Sequence, residues 1–171
     1  SVSRGLGDVY KRQVFFIQNN ISGHSINLVR NHKYLNMILG FDPGRDKCGI
    51  AIMGKNRQLH YHQVIESAKI TTTIATLNEQ FDINLIVIGD QTTSKIWQQH
   101  LTEIISEKIP IIKIDERYSS LEARERYWQI YPPRGFVRLI PPGMRIPPKP
   151  IDDIVAIILI ERYLNISQFE N

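Results

Sequence analysis

Short apolar runs, separated by turn signals, divide the chain from residue 37 onward. The runs 37–41 and 49–53 lie on either side of a Pro-Gly turn, which predicts a β-hairpin. Residues 58–65 alternate between apolar and polar side chains well enough for a third strand. The domain is therefore expected to begin with three antiparallel strands.

Helical and strand patterns alternate after this meander. Apolar residues recur every three to four positions in four segments, which predicts helices over 67–80, 94–108, 119–130 and 152–164. Two short apolar runs, 85–89 and 111–114, are typical of buried parallel strands. Residues 131–150 hold most of the chain's prolines and cannot form long regular structure. Together these elements predict an α/β domain with a mixed sheet covered by helices.

Acidic side chains stand at the ends of three of these elements. Asp42 ends the first strand, Asp115 and Glu116 follow the last strand, and Asp152 and Asp153 open the final helix. Taken singly, each site has an ordinary explanation as a turn former, a surface ion pair or a helix cap. Taken together, carboxylates at the ends of separate elements are the ligands that a divalent cation needs for phosphodiester cleavage.

The first 36 residues differ from the rest of the chain. Residues 3–13 match one reading frame of a transposase adaptor used in sequencing libraries, and residues 14–36 lack a clear period. We therefore expect a non-native scar and a disordered leader over 1–36, with Met37 as the true start. A signal peptide is the rival interpretation, but the apolar stretch 14–17 is shorter than the roughly 7–15 residues required.

Charge and cysteine content limit the function classes. The formal net charge is +4, and residues 1–36 supply all of it, so the high isoelectric point does not indicate nucleic-acid binding by the domain. The single cysteine, Cys48, excludes an intrachain disulfide framework and a Cys-based zinc cluster. No apolar run approaches the roughly 18 residues of a membrane span. We expect one cytoplasmic domain over 37–171 with no membrane partner.

In order along the chain, four motifs resemble the YqgF/RuvX family of the RNase H-like nuclease superfamily. They are Leu-Gly-Phe-Asp-Pro-Gly with Gly-Ile-Ala-Ile (39–44, 49–52), Ile-Val-Ile-Gly (86–89), Asp-Glu-Arg-Tyr-Ser-Ser-Leu-Glu-Ala-Arg (115–124) and Ile-Asp-Asp-Ile-Val-Ala (151–156). The third motif is the most specific. The resemblance implies an RNase H-like fold, with a five-stranded mixed sheet in the order 3-2-1-4-5 and helices on both faces.

The same resemblance implies an activity. That family is associated with 5′-end processing of precursor 16S ribosomal RNA and, by similarity to Holliday-junction resolvases, with branched DNA. It implies a nuclease that uses Mg²⁺, or Mn²⁺, with Asp42, Glu116 and Asp152 as the catalytic carboxylates. Asp153 joins these three as an expected metal ligand. The expected partner is precursor rRNA or branched DNA, and the protein is a monomer or, to cut two strands symmetrically, a homodimer.

Several segments carry groups that can meet a phosphate backbone. The proline-rich segment has four cations and aromatic neighbours, with no acid between Gln129 and Ile151. Arginine binds phosphate bidentately, and aromatic rings stack on unpaired bases. The loop after the fourth strand opens a helix, whose N-terminus can hold a phosphate. The predicted nucleic-acid contacts are Arg45, Thr92, Thr93, Lys95, Arg117, Arg134, Arg138, Arg145 and Lys149.

Two other functional classes stay open at this point. An Asp-x-Gly hairpin also begins the ATP-binding domains of actin and the sugar kinases, although this chain lacks a second such hairpin and is short for two lobes. A catalytically inactive nucleic-acid-binding module is the other class. Three acids disfavour it, because uncompensated negative charge weakens phosphate binding. His60 and His62 are predicted on an exposed strand face, with no metal role.

Overall fold

The computed structural model describes residues 36–90, 94–105 and 109–169. Residues 1–35 lie outside this part of the chain, so the predicted scar and leader stay a prediction. The strands are β1 (Met37–Asp42), β2 (Lys47–Gly54), β3 (Leu59–Glu66), β4 (Ile83–Gly89) and β5 (Ile111–Ile114). The helices are α1 (Ile70–Gln80), α2 (Ser94–Ile104), α3 (Ser119–Ile130) and α4 (Asp152–Phe169).

The five strands form one mixed sheet in the order β3-β2-β1-β4-β5, which confirms the predicted order. The first three strands pair antiparallel, and β4 and β5 extend the sheet in parallel from β1. Because β1, β4 and β5 are parallel, their carboxyl ends lie at the same edge of the sheet. Asp42 is the last residue of β1, and the acids at 115–116 follow β5, so they share that edge.

Helices cover both faces of the sheet, as predicted. Side chains of β1 alternate: Leu39 and Phe41 lie in a core with residues of α1 and α2, whereas Ile38 lies in a second core with α3 and α4. Gly40 and Asp42 follow Ile38 in this alternation and so face α4. Asp42 is therefore at the helix-covered face, where it can meet the start of α4.

Helix α4 is the centre of the second core. Its residues 154–160 are all buried, because they lie between the sheet and α3, and this explains why the segment is apolar on every side. The helix runs to Phe169, five residues beyond its predicted end at Leu164. In the described part of the chain, no helix is long and apolar enough to cross a membrane.

Strand β3 departs from simple alternation. The pairing shifts where Ile52 faces Tyr61 and Met53 faces Leu59, so one residue of β3 is extra at this point. The shift places Leu59 and Tyr61 in opposite cores, although the sequence predicts them on one side. It also makes the predicted exposed position of His62 wrong, since that side chain is only 13% exposed.

The proline-rich segment 131–150 forms two short 3₁₀ turns, Gly135–Leu139 and Pro142–Met144. The Arg145 guanidinium braces them, because it donates to the carbonyls of Ile140 (2.8 Å) and Arg138 (3.3 Å). Trp128 Nε1 donates to the Arg145 carbonyl (3.4 Å), which ties the segment to α3. The segment thus has a defined shape without a long helix or strand.

Glycine lets α4 approach the sheet at β1. A Cβ built on Gly40 would overlap the Ala156 carbonyl oxygen and lie 2.7 Å from Ile160 Cγ1. Backbone atoms of a buried helix cannot yield to such a contact without moving the helix. The closeness of α4 to the sheet therefore depends on the absence of a side chain at residue 40.

We expect Gly40→Ala to lower the free energy of unfolding by about 1–3 kcal/mol or more, because it overpacks the α4 contact. Urea denaturation measures the change. Gly143→Ala is the matched control, since a Cβ there would have nothing within 4 Å. Equal stability of the two variants would contradict this account of the helix position.

Candidate active site

Three acids from separate elements converge around the end of β1. Asp42 pairs in register with Gly49 on the neighbouring strand β2. A Cβ on Gly49 would overlap the carbonyl group of Asp152 and lie 2.7 Å from the Asp153 backbone nitrogen. The first turn of α4 therefore rests directly on the strand beside Asp42, and this contact delivers Asp152 to the site.

A second glycine seats Glu116 on the other side of β1. Gly89 ends β4, the parallel neighbour of β1, and a Cβ there would overlap the Glu116 carboxylate. Glu116 is only 7% exposed, which is rare for a glutamate. Its backbone N–H donates to Asp90 Oδ1 (3.3 Å), so the loops after β4 and β5 hold each other. The carboxylate thus lies over the sheet edge rather than in solvent.

The chain turns sharply after Glu116. Tyr118 has φ 63°, in the left-handed region that costs a non-glycine residue free energy, and it precedes α3. The Glu116 carbonyl accepts from the Ser119 N–H (3.0 Å), which closes the turn. Arg117 binds Asp115 through its Nη2 (2.7 Å), and its hydrogen bonds lower the pKa of Asp115 to about 2. Arg117 therefore neutralises Asp115.

The electrostatics of Asp42 reflect this convergence. Burial, followed by the charges of Glu116 and Asp152, raises the pKa of Asp42 from 3.8 to about 7. Loss of hydration and nearby like charges both disfavour the ionised carboxylate. The site is therefore a poorly solvated concentration of negative charge, and a cation between the acids would relieve the repulsion.

Asp153 points to a different neighbour. Its Oδ2 lies 2.7 Å from His62 Nδ1 on β3, and its Oδ1 accepts from the Ile154 N–H (3.0 Å). Both side chains are largely buried, at 13% for His62 and 17% for Asp153. The pair fastens the first turn of α4 to β3. Sequence reasoning missed His62, because the only signal is the register shift in β3, which is not visible in a single sequence.

The predicted nucleic-acid contacts have varied positions. Arg134 and Arg138 are exposed, and Lys149 stands at the end of the proline-rich segment. Arg45 is 90% exposed beside Asp46. Arg145 donates its guanidinium N–H groups to carbonyls of its own segment. Thr92, Thr93 and the side chain of Lys95 lie outside the described residues.

Oxygen donors of this kind fit a hard divalent cation such as Mg²⁺. Asp42, Glu116 and Asp152 supply only carboxylate oxygens. Burial, and then the charges of the other two acids, raise the pKa of Asp42, and a cation would stabilise its ionised form. Within residues 36–90, 94–105 and 109–169, no group of three or more His, Cys, Asp or Glu side chains is already arranged as a metal site.

Comparison with known proteins supports the fold. No protein-family model matches the chain, and no curated protein matches it in sequence. The structure is similar to "T. thermophilus RuvC in complex with Holliday junction substrate", with a TM-score of 0.52 and 15% identity over 78% of this chain and 96% of that one. A second structure, "Thermus thermophilus RuvC structure", has a TM-score of 0.47 and 11% identity over 78% and 96% of the two chains. The predicted RNase H-like fold is confirmed.

Asp42→Asn should stabilise the metal-free protein as the pH rises. With its pKa at 3.8 unfolded and about 7 folded, Asp42 keeps a proton in the folded state that the unfolded chain has released. Its contribution to the free energy of unfolding thus falls between these pH values, by about 4 kcal/mol at most. In urea denaturation with EDTA, the free energy of unfolding of Asp42→Asn should increase relative to that of the parent protein from pH 4 to pH 8.

The exposed carboxylate of Asp46 provides the control, since its side chain is 79% exposed. The difference between Asp46→Asn and the parent protein should stay nearly constant over the same pH range. A constant difference for Asp42→Asn as well would show that the three acids do not interact in the folded protein.

Proposed function

We propose that this protein is a divalent-metal-dependent nuclease that hydrolyses phosphodiester bonds in structured nucleic acid. The convergence of Asp42, Glu116 and Asp152 from three separate elements carries the proposal. Gly49, on one side of β1, leaves space for the backbone of Asp152, and Gly89, on the other side, leaves space for the Glu116 carboxylate. Close packing of like charges destabilises a folded protein, and such arrangements occur mainly at active sites.

Asp42, Glu116 and Asp152 would hold the metal ions, with Mg²⁺ as the first choice and Mn²⁺ as the second. When bound, such ions generate hydroxide from water and stabilise the leaving oxygen of the phosphodiester. The protein keeps most water away from these carboxylates, because Glu116 is buried and Asp42 is largely buried. Asp153 is occupied by His62 and the Ile154 N–H, so we assign it to holding the first turn of α4.

For the substrate, the YqgF/RuvX-like motifs favour 5′-end processing of precursor 16S ribosomal RNA. Branched DNA is the second candidate, because a solved structure with the same fold is a RuvC in complex with a Holliday junction. In the proline-rich segment, the exposed side chains of Arg134, Arg138 and Lys149 are the proposed phosphate contacts. We assign Arg145 to bracing that segment rather than to phosphate binding.

Cleavage of two substrates tests the proposal and separates its candidates. The full chain is incubated with Mg²⁺ and either a precursor 16S rRNA leader or a four-way DNA junction, and products are resolved on denaturing gels. We expect cleavage of at least one substrate, abolished by EDTA. Asp42→Asn should lower the rate by more than about 100-fold, since even residues that only support a metal ligand contribute 10- to 100-fold.

Asp46→Asn is the matched control and should cleave at the parent rate. Glu116→Gln and Asp152→Asn should behave like Asp42→Asn, because each removes one negative oxygen ligand. If the parent protein binds nucleic acid but cuts neither substrate with Mg²⁺ or Mn²⁺, the protein is a binding module. Tight ATP binding without cleavage would instead indicate the kinase-like class.

A further inference from the structure

A cavity of about 170 Å³ lies beside the candidate active site. It opens between the end of α3, the start of α4 and the middle of β3, and its lining includes His62, Tyr127, Tyr131, Lys149 and Asp153. The volume is below the roughly 300–1,000 Å³ of pockets for drug-sized ligands, so it suits a single ring system. We call this cavity the aromatic pocket.

Flat and apolar groups form the walls of the aromatic pocket. The rings of Tyr127 and Tyr131 lie with centroids 5.0 Å apart and planes tilted by 42°. Tyr127 is 8% exposed and belongs to the core, whereas Tyr131 is 40% exposed and stands at the opening. Ile154 and Ile157 of α4 close the apolar side. An aromatic ring can therefore enter beside Tyr131 and lose contact with water.

The opposite side of the pocket is polar. His62 and Asp153 are joined at 2.7 Å through Nδ1 and Oδ2, which leaves the second ring nitrogen, Nε2, as the atom with which His62 can meet a ligand. The Asp153 carboxylate also acts on Tyr131: after burial, its charge is the next cause that raises the pKa of that phenol. A ligand in the pocket would thus meet hydrogen-bonding groups at one edge and apolar surface on its faces.

One cation, Lys149, stands at the rim of the pocket. Lys149 lines the opening and ends a segment that has four basic residues and no acid between Gln129 and Ile151. The pocket also begins one residue beyond Asp152, on the same turn of α4. A strand whose phosphate lies at the acids would have to bring an adjacent nucleotide to this opening.

We propose that the aromatic pocket receives one unpaired nucleobase of a nucleic acid bound at the acid site. A base has two flat faces that stack on aromatic rings and an edge of hydrogen-bonding groups, which matches the walls and the polar side. Its phosphate would lie against Lys149. This inference rests on the proposed function, because it places the base of the nuclease substrate.

Fluorescence titration with short hairpins tests the proposal. RNA and DNA hairpins are prepared with one unpaired 2-aminopurine, and matched hairpins carry it fully paired. Ca²⁺ replaces Mg²⁺, so that binding is measured without cleavage. The full chain should bind the unpaired forms more tightly than the paired forms and change their 2-aminopurine emission. Comparison of the RNA and DNA arms identifies which backbone supplies the base.

Tyr131→Ala should weaken binding of the unpaired hairpins on the order of 10- to 100-fold, as loss of one stacked base predicts, and leave the paired hairpins unaffected. Tyr131→Phe keeps the ring and should bind like the parent protein, which shows that the ring and not the hydroxyl is needed. Unchanged binding of the paired hairpins by Tyr131→Ala shows that this variant still folds. Lys149→Gln should lower the slope of log K against log salt by about 0.7–0.9, the value for one phosphate contact.

The outcomes separate this proposal from the nuclease itself. If the hairpins and the larger substrates are never cut, but the preference for an unpaired base exists and disappears in Tyr131→Ala, the pocket stands and the nuclease proposal fails. If substrates are cut, but Tyr131→Ala binds unpaired and paired hairpins as the parent protein does, the pocket proposal is overturned. Absence of any preference in the parent protein also overturns it.

Discussion

The close approach of α4 to the sheet is the constraint on which the site depends. Gly40, Gly49 and Gly89 lie on the same face, and each gives space to an atom that a side chain would displace: helix backbone at the first two and the Glu116 carboxylate at the third. Glycine costs conformational entropy in a strand, about 0.5–1 kcal/mol relative to alanine. Burial of the apolar α4 against the sheet offsets that cost and fixes the acids relative to each other.

The same packing brings like charges together at Asp42, Glu116 and Asp152. Removing water from Asp42 and setting Glu116 and Asp152 near it raises its pKa to about 7, so the metal-free site is stabler when that carboxyl is neutral. The sheet and helices pack through two apolar cores, and the charge of Asp42 is not part of that packing. The ionised acids at this edge therefore lower the free energy of unfolding, and a cation that binds them in the folded protein would raise it again.

Much of this fold could be predicted from the chain, because its signals are local. β5 and α3 begin and end at the predicted residues, since a short apolar run defines the strand and the helical spacing of apolar residues defines the helix. Among the described residues, no side-chain hydrogen bond caps α3, whose N-cap residue is Tyr118. The sheet order came from motif resemblance rather than from periodicity. The position of His62 could not be predicted, because a register shift is decided by the partner strand. Arg145 was equally ambiguous, since a cation in a loop looks the same whether it meets phosphate or its own backbone.

The first turn of α4 joins the two parts of the proposed machinery. Asp152 and Asp153 are consecutive, and a helix places consecutive side chains about 100° apart, so one acid faces β1 while the next faces β3. The bond between Asp153 and His62 fixes the rotation of this turn, because both side chains are largely buried and neither can move without the other. The position of Asp152 over Gly49 therefore depends partly on the contact between its neighbour Asp153 and β3. A single helical turn thus sets the geometry of the acid cluster and of the aromatic pocket together.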